Sequence, residues 1–258
     1  MSFILKTNDE VGLMRKANQL VGATLFELGK HIRPGISTFQ LEQLARDFIL
    51  KYGGTPFFIN FLNPLGGSFS VSENYSGHDL NKKTVTLSEG DIISIDCGVS
   101  FCGFCGTCSR IFFVGNVSTG LTELVHGIEV ALIDAINSTI PGKYICDIGY
   151  SIEQVFESLK GVRVRQIFGN SIGQEFAEST RLSFNSKRGK RVLLKNGMCF
   201  TINCIVSLEK GYLTQHNISS GFAGNNAQLS LHFKHTFSVG IDHVDILSSF
   251  DSIERIDS

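Results

Sequence analysis

The chain has 258 residues, 42% hydrophobic and 18% charged, with a formal net charge of −1 and a mean hydropathy of +0.11. That length suits one large domain over 1–258, or two intimately packed halves, with ample core. No basic excess exists to neutralise phosphates and no apolar run nears the ~18 residues of a membrane span, so nucleic-acid and membrane partners are excluded. Seven cysteines is an odd count, and the opening MSFILKTNDEVG meets acidic residues too soon for a signal peptide. Reduced thiols and a cytoplasmic location are the expectation. Twenty-one Phe and no Trp imply a Phe-rich core or pocket.

A first helix is expected over 8–29, capped by Asn8 or Asp9, with Val11, Met14, Leu20, Val21, Leu25 and Leu28 inward and Gly29 as its C-cap. Arg33-Pro34-Gly35 reads as a turn. Ser37-x-x-Gln40 is a capping box opening a second helix near 37–52, with Leu41, Leu44, Phe48 and Ile49 inward, and Gly53-Gly54 ends it. Phe57, Phe58, Phe61 and Phe69, interrupted by Pro64 and Gly66-Gly67, read equally as a core loop or a pocket wall. IISIDCGVS alternates as a strand, Gly103 marks a hairpin, and TCSRIFFVG is the return strand. Further helices are expected over 120–137 and 146–159, and strands over 162–168, 198–207 and 231–240. The class is α+β. No glycine-rich loop leads from a strand into a helix in nucleotide-binding form, so no nucleotide, flavin or haem cofactor is expected.

Four segments carry a family resemblance: GDIISIDCGVSFCGFCGTCSRIFFVG (90–115), FGNSIGQEFAE (168–178), LKNGMCFTINCIV (194–206) and SLHFKHTFSV (230–239). In this order and spacing, with LMRKANQL and RPGIST ahead of them, the chain resembles the type I methionine aminopeptidases of the M24 "pita-bread" metallopeptidases. The resemblance covers nearly the whole chain. It implies two pseudo-symmetric halves around a curved antiparallel sheet, with the site in the cleft between them.

The family binds two divalent metals with two Asp, one His and two Glu. By resemblance the first Asp is kept as Asp96, while the other four positions hold Thr107, Asn170, Asn203 and Lys234. The assisting His of the family's FHE motif is Ala177. Carboxylates and imidazole are what such a dication needs, and a lysine ammonium repels it. Four carboxylates and two dications sum to zero charge, as do Asp96 and Lys234. Lys234 is therefore expected where the metals would be, paired with Asp96, and no metal is expected. His78 falls where the family keeps a substrate-facing histidine. His232 shares a strand face with Lys234. By resemblance Phe58, Phe61, Phe69 and Phe176, with Phe222 as a further candidate, wall the side-chain pocket.

Cys97, Cys102, Cys105 and Cys108 form C-x4-C-x2-C-x2-C, whose first three positions share a ferredoxin-type spacing. Strand alternation turns Cys97 and Cys108 away from Asp96, which argues for separate structural thiols. Cys105 has the inward parity of Thr107 and is a candidate cleft thiol.

The expected function is that of a repurposed, metal-independent enzyme. It would act on a small amide, an amino-acid-derived molecule or a carrier-bound substrate. His78 and Lys234 would be acid/base or electrostatic groups and Asp96 the group that orients the lysine. Thr107, Asn170, Asn203, His232 and Cys105 would contact the substrate. The alternative is a catalytically silent relative that holds a peptide or partner in the cleft. An active methionine aminopeptidase is the remote third reading. The expected partner is a small-molecule or peptide ligand; oligomeric state carries no signal in the sequence.

Overall fold

The computed structural model describes residues 3–62, 84–138, 141–159, 161–178, 181–184, 192–208 and 229–248. Helix α1 spans Asn8–His31. Its cap is Thr7, one residue ahead of the expected Asn8 and two ahead of the expected Asp9. The Thr7 hydroxyl accepts from the Glu10 amide, and the Glu10 carboxylate accepts from the Thr7 amide at 2.8 Å. This reciprocal box satisfies two orphan donors, which neither Asn8 nor Asp9 does. The helix also runs through Gly29, ending at Ile32. Helix α2 spans Thr38–Lys51 and opens on the expected Ser37–Gln40 box.

The Phe-rich stretch is a strand. Strand β1 spans Thr55–Leu62, and it occupies the edge of the sheet beside β2, Ile92–Phe101. Proline discourages strands, but an edge position with an irregularity between Pro56 and Phe58 accommodates Pro56 here. Strand β3, Phe104–Phe113, returns from β2 through a two-residue turn at Cys102 and Gly103, both with positive φ.

The second half repeats the pattern. Helices α3 (Thr119–Asn137) and α4 (Ile145–Glu157) precede strands β4 (Val162–Asn170), β5 (Arg181–Ser183), β6 (Cys199–Leu208), β7 (Leu229–Val239) and β8 (Val244–Ile246). The antiparallel sheet runs β1-β2-β3-β7-β6-β4-β5, with β8 on β7. None of the described helices is long and apolar enough to cross a membrane.

One sheet face is mostly apolar, and the other carries a row of polar side chains. Ile93, Ile95, Cys97 and Val99 of β2 pack with Leu20, Leu25, Leu41 and Ile49 of α1 and α2. Ile202, Cys204 and Val206 of β6 pack with Ile128, Leu132, Ile148 and Ile152 of α3 and α4. Alternation puts Ser94, Asp96, Thr107, Ser109, His232, Lys234 and Asn203 on the opposite face.

The halves meet where Ser109 of β3 lies opposite Lys234 of β7. Side chains finish the joint. The Ser94 and Ser109 hydroxyls both donate to the His232 carbonyl at 3.1 Å, and the Thr236 hydroxyl donates to the Thr107 carbonyl at 2.7 Å. The Thr107 amide donates to Asn18 Oδ1 of α1, and the Cys105 amide to the Gly173 carbonyl.

Candidate functional site

The positions singled out in the sequence fall on five adjacent strands. Asp96 is on β2, Thr107 on β3, Lys234 on β7, Asn203 on β6 and Asn170 at the end of β4. Register aligns most of them into a row: Asp96 opposite Ser109, Ser109 opposite Lys234, and Lys234 opposite Asn203.

At the centre, Lys234 Nζ lies 3.2 and 3.1 Å from the two oxygens of Asp96, reaching over β3. Both side chains are buried. Burial pushes the Asp96 carboxyl above its ordinary range, and the Lys234 ammonium pulls it back. The ammonium also sits 4.8 Å from the centre of the Phe58 ring.

His232 is buried on the same face, its Nε2 3.1 Å from Asn203 Oδ1. Burial, with Lys234 beside it, pushes its imidazole down to about 3, so it is neutral near pH 7. The Thr107 hydroxyl is committed to the Cys97 carbonyl at 2.8 Å. Asn170 is half-buried and its backbone N–H donates to Thr201 Oγ1 at 3.2 Å.

The Phe wall is partly assembled. Phe58 and Phe176 meet edge-on at 5.4 Å between ring centres, and Phe57 stacks on Phe176 at 4.3 Å. Phe57 belongs to the Phe-rich stretch read as a core loop or a pocket wall, but the resemblance did not place it in the pocket; it falls at the strand irregularity between Pro56 and Phe58. Met14 of α1 joins the same cluster. The wall fits because position 98 is glycine: a Cβ there would collide with the Phe58 ring and come within 2.8 Å of Phe176. Phe61 lies opposite Ile95 in the register, out of step with the Asp96 row. His78, Phe69 and Phe222 lie outside the described residues.

Cys105 does sit with Phe58 and Phe176, but its thiol donates to the Gln174 carbonyl at 3.2 Å. Burial, reinforced by Glu175 and Glu178, pushes it up to about 12. A thiol so held is not a nucleophile near neutrality. Cys97 and Cys108 lie in the helix-side core, while Cys102 is exposed at the hairpin turn. A buried ion pair between Lys6 and Glu178, with no sequence signal, ties the N-terminal segment to the loop that bears Phe176.

The sequence model of metallopeptidase family M24 matches residues 12–243. The chain belongs to this family. Methionine aminopeptidase 1 of Bacillus subtilis is 33% identical over 246 residues, which cover 95% of this chain and 98% of that protein. The crystal structure of methionine aminopeptidase from Rickettsia prowazekii superposes with a TM-score of 0.75 at 25% identity, covering 96% of this chain and all of that one. Prolidase from Pyrococcus furiosus shares the fold, with a TM-score of 0.72 at 17% identity over 96% of this chain and 66% of its own. The M24 pita-bread architecture expected from the sequence is therefore the architecture of this chain.

The residues of this M24 member do not suit the dinuclear metal centre that the resemblance implies. Among the described residues no three His, Cys, Asp or Glu side chains gather so that they could hold a metal ion. In the strand row the one carboxylate is bonded through both oxygens to an ammonium. The other positions offer a hydroxyl and two amides, weak donors for a dication beside a fixed positive charge.

Proposed function

We propose that this chain is a methionine-aminopeptidase-like M24 protein that works without metal, as a repurposed enzyme. Its substrate is a small amide, an amino-acid-derived molecule or a carrier-bound molecule held in the cleft. The observation that carries this reading is the bond from Lys234 Nζ to both carboxylate oxygens of Asp96. A positive charge fixed by a buried carboxylate can stabilise an anion developing on a carbonyl oxygen and can pass it a proton. Asp96 holds that ammonium in place, and Asn203 and His232 offer hydrogen bonds beside it. His78 is the proposed proton shuttle. The ring wall of Phe57, Phe58 and Phe176 takes the apolar part of the substrate.

The relatives favour a second reading. Proteins called methionine aminopeptidases match at 33% and 32% identity over 95% of this chain. On that reading this chain too removes N-terminal methionine.

One experiment separates the two. The protein is purified without chelator or nickel resin, its metal content is read by elemental mass spectrometry, and release of methionine from short peptides is followed with and without added manganese or cobalt. The metal-independent reading expects negligible metal and no metal-stimulated release. It further expects turnover of a panel of amides and amino-acid derivatives that Lys234→Ala and His78→Ala abolish. Two equivalents of metal with metal-dependent release of methionine would establish the aminopeptidase. Binding from the panel without turnover would leave a catalytically silent binder.

A further inference from the structure

The charges of the row constrain what can enter it. Lys234 and Asp96 are each other's counter-ion, bonded at 3.1 and 3.2 Å. The side chains directly opposite them in the register, Asn60, Ser109 and Asn203, carry no charge. A ligand bearing one charge would bond one member of the pair and leave the other buried without its partner, an arrangement that costs far more than a surface charge. A ligand bearing both charges exchanges partners: its ammonium replaces Lys234 on Asp96, and its carboxylate replaces Asp96 on Lys234. Every charge at the site, the ligand's two included, then has a counter-ion.

The surroundings narrow the class. The Phe58 ring lies 4.8 Å from the Lys234 ammonium, and Phe176 and Phe57 continue the wall from it. An apolar group attached close to both charges would lie on these rings. Asp96 is the more open partner, with its side chain 11% exposed against 5% for Lys234, and Phe57 is 37% exposed.

We infer that the site takes an apolar α-amino acid in its zwitterionic form, with the ammonium on Asp96, the carboxylate on Lys234 and the side chain against Phe57, Phe58 and Phe176. This deepens the reading above and rests on it for the location of the site, but it concerns binding and not turnover.

The test is calorimetric titration of the full chain with L-phenylalanine and L-leucine. The comparison ligands are L-phenylalaninamide, which keeps only the cation, and N-acetyl-L-phenylalanine, which keeps only the anion. The zwitterion is expected to bind at least about tenfold more tightly than either single-charge analogue. The double variant Lys234→Met/Asp96→Asn keeps the volume of the pair without its charges, and it is expected to lose that preference. Thermal unfolding of the double variant checks that it is folded. Equal or tighter binding of an analogue, a preference that survives in the folded double variant, or no binding of the amino acids at millimolar concentration would each overturn the inference. Tight, charge-dependent binding with no turnover would instead leave the inference standing and defeat the enzymatic reading.

Discussion

Lys234→Met tests the central pair most directly. Methionine is near in length to the lysine stem but carries no charge, so Asp96 is left alone among Thr107, Ser109 and Phe58 on a face where its side chain is 11% exposed. Removing one partner of a buried pair costs about 3–5 kcal/mol. The lost contact with the Phe58 ring adds about 1 kcal/mol. For a chain of this size each kcal/mol moves the midpoint by roughly 2–4 °C, so thermal unfolding followed by circular dichroism should drop by roughly 8 °C or more. Lys234→Met/Asp96→Asn removes the orphaned charge and should recover most of the loss, giving a coupling of about 2 kcal/mol or more between the sites. A single variant that unfolds within about 1 °C of the parent, or a double variant no better than the single, would refute the claim that the two charges depend on each other.

Other positions give independent checks. Gly98→Ala forces a methyl into the Phe58 ring and towards Phe176, and should cost about 1–3 kcal/mol in urea unfolding while weakening any ligand that uses the ring wall. His235 is buried against Ser248, and burial holds its imidazole down at about 4. Below pH 6.5 the unfolded chain takes up that proton and the folded chain does not, so stability should fall from pH 6.5 towards 4. The His235 share is about 3 kcal/mol, and His235→Gln should flatten the slope of stability against pH in that window. Alkylation of the folded protein at pH 8, mapped by mass spectrometry, should modify the exposed Cys102 first and spare Cys105, whose thiol is held at about 12. Early labelling of Cys105 would contradict its burial.

Local signals made much of the fold legible. The Ser37–Gln40 box, the Ile93–Ile95 alternation and the Gly103 turn each work over a few residues and survive in the structure. Strand β1 was not legible, because an irregularity beside Pro56 breaks the period on which a strand reading depends. The Thr7 cap was displaced by one residue because three consecutive residues, Thr7, Asn8 and Asp9, are all good caps, and only the Glu10 partner decides among them. In the site, the meeting of Lys234 with Asp96 could be anticipated because the resemblance places both at ligand positions, where their opposite charges balance. The Lys6–Glu178 pair could not, since neither residue sits in a pattern that names the other. The commitment of the Thr107 hydroxyl to Cys97 and of the Cys105 thiol to Gln174 is likewise a matter of tertiary geometry.

The joint between the halves has a consequence for the molecule's behaviour in a crowded solution. Where β3 runs past β7, its amides and carbonyls would otherwise form an open border in the middle of the sheet, a template on which a foreign strand could add. Asn18 takes the Thr107 amide, Thr236 the Thr107 carbonyl, and the Gly173 carbonyl the Cys105 amide. A helix, a neighbouring strand and a loop thus each cap one group of the same short stretch. Intruding chains find no free hydrogen-bonding partner on these groups, and the fold guards itself against aggregation at the line where its two halves join.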